Sequence, residues 1–308
     1  MKLALRINVD TWRGTQQGVP TLLDLLEKHG AQATFLFSLG PDHTGRAFAQ
    51  LLRSGRRRPS WHTQARGRYG LRSLAYGTVL PGPEIGKRGA TILQDVAARG
   101  FDVANHGWNR VHWLRHVAQA DAAWTERDMR RSQKRFAEIF GRDAPGHGAA
   151  GWQMNADALR LTQRLGYAWS SDCRGTHPFV PVWRGEPIHC PQLPTTLPTL
   201  GEIASSGEYP REQMHNALLR ASADPRATGH VYTLHAELEG MAYADVFEQA
   251  LTGWKEQGYE LVSLSDLFAS LDMASLPRHE IIRGTLPGRQ STLMLQGEEF
   301  LSTWKDMA

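Results

Sequence analysis

Leu3-Ala4-Leu5-Arg6-Ile7-Asn8-Val9-Asp10-Thr11-Trp12-Arg13-Gly14 opens as an apolar, strand-like run and ends in polar side chains. That is the pattern of a buried strand whose carboxyl end reaches a loop. Val19, Leu22, Leu23 and Leu26 then mark one helix face that stops at Gly30. Further strands are expected at Ala33 to Phe37, Phe101 to Ala104, Tyr167 to Ser170, Gly229 to Leu234 and Glu260 to Leu264. Helices are expected from Glu84 to Arg99, from a capping box at Thr125 and Asp128, from Asn155 to Leu165, from Tyr243 to Trp254, and from Ser265. Repeated strand-then-helix order predicts an α/β fold with a mostly parallel sheet or a barrel.

In such folds the chemistry lies beyond the carboxyl ends of the strands. Asn8 and Asp10 end the first strand, and His106, Asp172 and His235 each follow another. A lone histidine at a strand end is more often a hydrogen-bonded structural residue. Convergence from four strands is the argument for one site.

The 308 residues, 41% hydrophobic, suffice for one large domain. Two cysteines, Cys173 and Cys190, imply no disulfide framework. No run approaches 18 apolar residues, and a cytoplasmic protein is expected. The formal charge of +4 is mild, but Arg53, Arg56, Arg57, Arg58, Arg66, Arg68 and Arg72 fall in a stretch, 53–83, without an acid and with Trp61, Tyr69 and Tyr76 between them. A solvated basic loop is one reading. The other is peripheral contact with an anionic membrane surface or a phosphate-bearing substrate. No nucleic-acid module is present, and no nucleic-acid partner is expected.

Asn8-Val9-Asp10, His106-Gly107-Trp108-Asn109-Arg110, Gly148-Ala149-Ala150-Gly151-Trp152, Ser171-Asp172-Cys173-Arg174-Gly175 and Leu234-His235-Ala236-Glu237 follow one another in a telling order and spacing. In these motifs the chain resembles the polysaccharide deacetylases, carbohydrate esterase family four. The resemblance runs from Leu3 to about Gly288. It implies a distorted (β/α)7 barrel over 1–272, with the basic stretch as an insertion and 273–308 as an irregular appendage. It also implies hydrolysis of a formyl or acetyl amide on an amino sugar, nearest to members acting on a formamido-arabinose carried by undecaprenyl phosphate in lipid A modification. That places the chain at the inner face of the cytoplasmic membrane.

The resemblance further implies one divalent ion, with Zn, Mn, Co, Ni and Mg not distinguished. Asp10 and His106 match two of its ligands, and His235 matches the general acid. Asn8 stands at the position of the base, and an amide accepts no proton there. Arg110 stands at the position of the third ligand, and a guanidinium is no ordinary ligand. Asn109 replaces an acid between the two. Weakened metal binding and impaired catalysis are therefore expected, with a non-catalytic sugar- or lipid-phosphate-binding protein as the alternative. His112 and His116, four apart, have the spacing to chelate a metal together, but they fall outside the family motif, and simple exposure is the other reading. Trp12, Arg13, Trp108, Trp152, Asp172, Arg174, Glu237 and Glu239 are the candidate substrate contacts, with barrel-core packing the other reading for the three tryptophans and loop ion pairs for Arg13, Arg174, Glu237 and Glu239.

Overall fold

The computed structural model describes residues 1–53, 70–286 and 291–301. At its centre is strand β1 (Lys2–Val9), buried over nearly its whole length. Along one edge it pairs in parallel with β8 (His230–His235). The other edge is shared by β9 (Glu260–Val262), beside Lys2–Ala4, and β2 (Thr34–Phe37), beside Arg6–Val9. The sheet continues in parallel through β3 (Asp102–Asn105) and β4 (Gly146–His147) to β5 (Trp169–Ser170).

Six parallel strands thus curl from β5 to β8, and an extended segment closes the gap. Ser170 N donates to Pro191 O at 2.9 Å and Leu193 N to Ser170 O at 2.7 Å, while Thr196 N reaches Val231 O at 3.0 Å. This is the expected α/β barrel, with the segment from Pro191 to Thr196 as an irregular stave. Side chains alternate across β1. Leu3, Leu5, Ile7 and Val9 pack outward against the helices, while Ala4 joins Leu36, Ala104, Trp169, Leu193 and Val231 inside the barrel. By that parity Arg6 and Asn8 also point inward.

The helices mostly begin and end where the sequence signals them. Helix Val19–His29 stops at Gly30, whose φ of 57° is left-handed and favours a residue without Cβ. Asn155 caps Ala156–Arg164 by accepting from Ala158 N. Three boundaries differ from expectation. The helix expected over 84–99 is divided at Gly89 into Ile85–Arg88 and Ala90–Ala98. The next one, Ala122–Phe140, is capped by Asp121, which accepts from Trp124 N at 2.7 Å. Thr125 lies within it and bonds back to Asp121 O. Helix Leu264–Ala269 is capped by Ser263 and Asp266 in a reciprocal box. Ser265 instead donates to Asp102.

Beyond the barrel, the tail is not irregular. β10 (Arg278–Gly284) and β11 (Leu293–Glu299) pair antiparallel, and β10 lies parallel on β6 (Val180–Trp183), itself paired with β7 (Glu186–Pro187). Main-chain bonds tie β11 to Arg174, so this second sheet braces the loop that follows β5. Of the basic stretch, residues 54–69 lie outside the described residues, and with them Arg56, Arg57, Arg58, Arg66, Arg68, Trp61 and Tyr69. No helix among the described residues is long and apolar enough to cross a membrane.

Candidate active site

Asp10 leaves the end of β1 and meets three groups from neighbouring segments. His106 Nε2, just after β3, lies 3.2 Å from its Oδ1, and Ser38 Oγ, just after β2, donates to the same oxygen at 3.4 Å. Arg110 Nε lies 3.2 Å from Oδ2. Burial by itself would raise the Asp10 carboxyl, but the Arg110 charge and the contacts with His106 and His235 hold it well below the ordinary carboxylate range. The site therefore presents a permanent anion capped by a permanent cation. A cleft lined by Asp10, Ser38, Asp42, His43 and Arg110 opens over it. A larger cleft at the amino ends of the strands, beside Lys2, Glu260 and Asp266, is remote from this convergence.

Beneath Asp10, Arg6 is fully buried inside the barrel. Its Nε donates to Asn8 Oδ1 at 3.2 Å, and its terminal nitrogens reach Ser171 O, Ser171 Oγ and Ala149 O. Burial lowers the guanidinium from its ordinary value to about 10, with Asp172 opposing the shift. Arginine only donates, so it fixes which way the Asn8 amide faces. Asn8 therefore spends its one acceptor on Arg6 and has no proton-accepting role. Sequence reading missed Arg6 as an interior residue; a cation two and four residues before Asn8 and Asp10, on the same strand parity, was the available signal.

The loops are held by carboxylates. Glu237 Oε1 accepts from Asp10 N, Thr11 N and Thr11 Oγ1 at 2.8 to 2.9 Å, and Gly14 makes room for it, since a Cβ there would sit 2.3 Å from that oxygen. Asp42 accepts from Trp12 N, Thr44 N and Thr44 Oγ1, and burial raises its carboxyl. Glu239 joins Tyr232 Oη to His235 N, fixing the turn after β8. Asn109 is the N-cap of helix Arg110–His116: its Oδ1 accepts from His112 N and its Nδ2 donates to Pro41 O. That cap directs Arg110 at the first helical position.

Several candidate substrate contacts are engaged by the protein itself. Asp172 is fully buried and accepts from His147 Nδ1 at 2.9 Å and Ala149 N at 2.6 Å. Arg174 grips both Glu202 oxygens and the carbonyls of Thr195 and Leu197. Trp152, at a left-handed φ of 55°, has the guanidiniums of Arg6 and Arg174 at 5.6 and 5.1 Å from its ring centre and donates to Thr195 Oγ1. Trp108 is covered by Arg131, 3.9 Å from its ring centre. With Glu237 and Glu239, these six build walls. Trp12, Arg13 and His235 stay half-buried, with Arg13 Nε on Gln17. The His112 and His116 rings pack against Trp124.

The polysaccharide deacetylase family model matches residues 9–169. The chain belongs to that family. It is 33% identical over 295 residues to "Probable 4-deoxy-4-formamido-L-arabinose-phosphoundecaprenol deformylase ArnD" of Shewanella sediminis (strain HAW-EB3), covering 96% of this chain and 94% of that protein. It is 28% identical to the protein of the same name in Wigglesworthia glossinidia brevipalpis, covering 92% and 98%. A crystal structure of a Mycobacterium smegmatis protein assigned to the polysaccharide deacetylases shares the fold, with a TM-score of 0.61 at 16% identity over 92% and 94% of the two chains. With deformylases as its named relatives, the chain is a hydrolase of the kind that acts on an amide.

For a deacetylase of this family, the donor set at Asp10 is incomplete. His106 Nδ1 lies 2.5 Å from Gly148 O and must donate to it, which leaves Nε2, 3.2 Å from Asp10 Oδ1, as the ring nitrogen on the side of the carboxylate. Those two groups suit a divalent ion. Arg110, at the position the resemblance gives to a third ligand, is already on Asp10, and among the described residues no group of three or more His, Cys, Asp or Glu is arranged to hold a metal. The residues present do not fit a resident divalent ion.

Proposed function

We propose that this deacetylase-family chain receives an N-acylated amino sugar carried on a polyprenyl phosphate, with its formamido or acetamido group above Asp10, His106 and Arg110. The reading takes its substrate class from the curated relatives, whose names specify a formamido-arabinose on phosphoundecaprenol. The Arg110 guanidinium can donate to the amide carbonyl, Trp12 and Arg13 follow Asp10 as half-buried candidate contacts, and His235, whose charge acts on Asp10, is the group to protonate a leaving amine. What is weak is activation of water. Asn8 accepts no proton, and Asp10, held far below the usual range, is a poor base.

Hydrolysis by the native chain is accordingly slow. The single observation that carries this is the 3.2 Å contact between Arg110 Nε and Asp10 Oδ2, a cation where the family resemblance calls for a metal ligand. A second reading, binding without turnover, is favoured by the Arg6 bond that occupies the Asn8 acceptor. Peripheral contact with an anionic membrane through Arg53 to Arg72 belongs to the same proposal and would bring the site to a lipid-linked sugar.

The test is deformylation of a formamido-arabinosyl prenyl phosphate by native protein, by Asn8→Asp with Arg110→His, and by His235→Ala. The expected order is slow native turnover, a gain of about 10² or more in the double variant with added metal, and no turnover without His235. Native turnover equal to that of His235→Ala favours the binding-only reading. A native rate matching the double variant would overturn the impaired-site account.

A further inference from the structure

Helix Thr44–Arg53 and helix Arg110–His116 flank the Asp10 cleft, and a second cleft of about 750 Å³ lies where their outer surfaces meet the turn at Gly77 and Thr78. Arg46 and Arg115 line it from the two helices, together with Gln50, Thr78 and Val79. No described lining residue is acidic. Arg46 is anchored through Nε on Gly77 O at 2.6 Å, which fixes one end of its guanidinium at the cleft wall. His43 and His112 stand nearby, and both titrate below the ordinary histidine value, first because of burial and then because of neighbouring cations: Arg46 and His112 for His43, and His116, Arg46 and Arg115 for His112. Positive charge has accumulated here without a described carboxylate to balance it.

We propose that Arg46 and Arg115 form a phosphate-binding site that holds the phosphate of a lipid-linked sugar while its amide lies at Asp10 and Arg110. The inference rests on the function proposed above for the substrate but not on its turnover. Arg115 lies five residues beyond Arg110 on one helix, ~7.5 Å along the axis at 1.5 Å per residue. The relatives' names give a formamido group on carbon 4 of the sugar and a phosphate joining it to the lipid, so the two ends need two recognition points. A pair of guanidiniums suits the anionic oxygens of a phosphodiester, and an apolar neighbour such as Val79, exposed at the rim, leaves a path for the prenyl chain.

The experiment uses the full chain and the variant Arg46→Gln with Arg115→Gln, titrated with farnesyl phosphate and with farnesol in the same neutral detergent micelles. The expected result is at least tenfold weaker binding of farnesyl phosphate by the variant, weak binding of farnesol by both proteins, and an upward shift of the His43 and His112 titrations in native protein on adding farnesyl phosphate. Phosphatidylglycerol vesicles bound as tightly, with the same dependence on the two arginines, would keep the phosphate site and identify a lipid headgroup as its source. Equal farnesyl phosphate binding by native protein and variant would overturn the inference. Arginine-dependent phosphate binding without deformylation by Asn8→Asp with Arg110→His would sink the amide reading alone. Deformylation with phosphate binding indifferent to the arginines would do the reverse.

Discussion

Arg6 and Arg110 are two guanidiniums at two levels of one barrel, and their surroundings divide the molecule into a framework and a mouth. Arg6 is sealed from water and answered by Asn8, Ser171 and Ala149, with Asp172 as the nearest-acting anion. Arg110 has a side chain 29% exposed and reaches Asp10 from the start of a surface helix. The lower arginine is part of what keeps the barrel filled. The upper one acts at the mouth, on the carboxylate that the family resemblance places at the reaction centre.

The widest separation between the two levels should appear in stability. Arg6→Met should cost about 3–5 kcal/mol, because it strands buried carbonyls, whereas Arg110→Gln should cost about 1–2 kcal/mol, since Arg110 is partly exposed while the Asp10 carboxylate it leaves is buried. Urea unfolding of both variants checks this, and similar losses would erase the distinction.

Next in size is a buried acid of the framework. Burial raises Asp128 to about 6, against the pull of Arg131 and His147. A carboxyl raised in the folded state favours folding while protonated, so its contribution is full below the unfolded value near 4 and is lost as pH rises to about 6. Asp128→Asn should therefore stabilise the protein by on the order of 2–3 kcal/mol at pH 8 and by little at pH 4. A gain independent of pH would assign the effect to packing.

The smallest effect links the levels. Asn8→Asp gives Arg6 a charged acceptor in place of a neutral one and should add about 1–2 kcal/mol, measured by unfolding at pH 7. A loss of stability would mean that Asn8 is required by the barrel itself.

Much of the framework was legible because it follows from local rules. The run Leu3 to Val9 had to be a buried strand, Gly30 had to end a helix, and Asn155 had to begin one. The family motifs located Asp10, His106 and His235 at one end of the barrel. What escaped was the division of labour among polar residues. Asp172, Arg174, Glu237 and Glu239 follow strands as ligands do, yet the first three find their partners in backbone groups, His147 and Glu202, all far away in sequence, and Glu239 in Tyr232 and His235 N of its own strand, and burial alone separates the two cases. The paired tail was equally hidden. Arg278–Gly284 and Leu293–Glu299 mix charge with apolar residues because each strand covers only part of the barrel, so alternation was blurred. Gly89 divides a helix whose apolar spacing looked continuous.

The exchange at the mouth is tested most directly by metal stoichiometry, measured by elemental analysis after loading with zinc and exhaustive dialysis. The native chain should retain far less than one ion per molecule, and Asn8→Asp with Arg110→His about one, as a third donor joins Asp10 and His106. One tightly held ion in the native chain, lost on Asp10→Ala, would show that Arg110 does not displace a metal and would contradict the account.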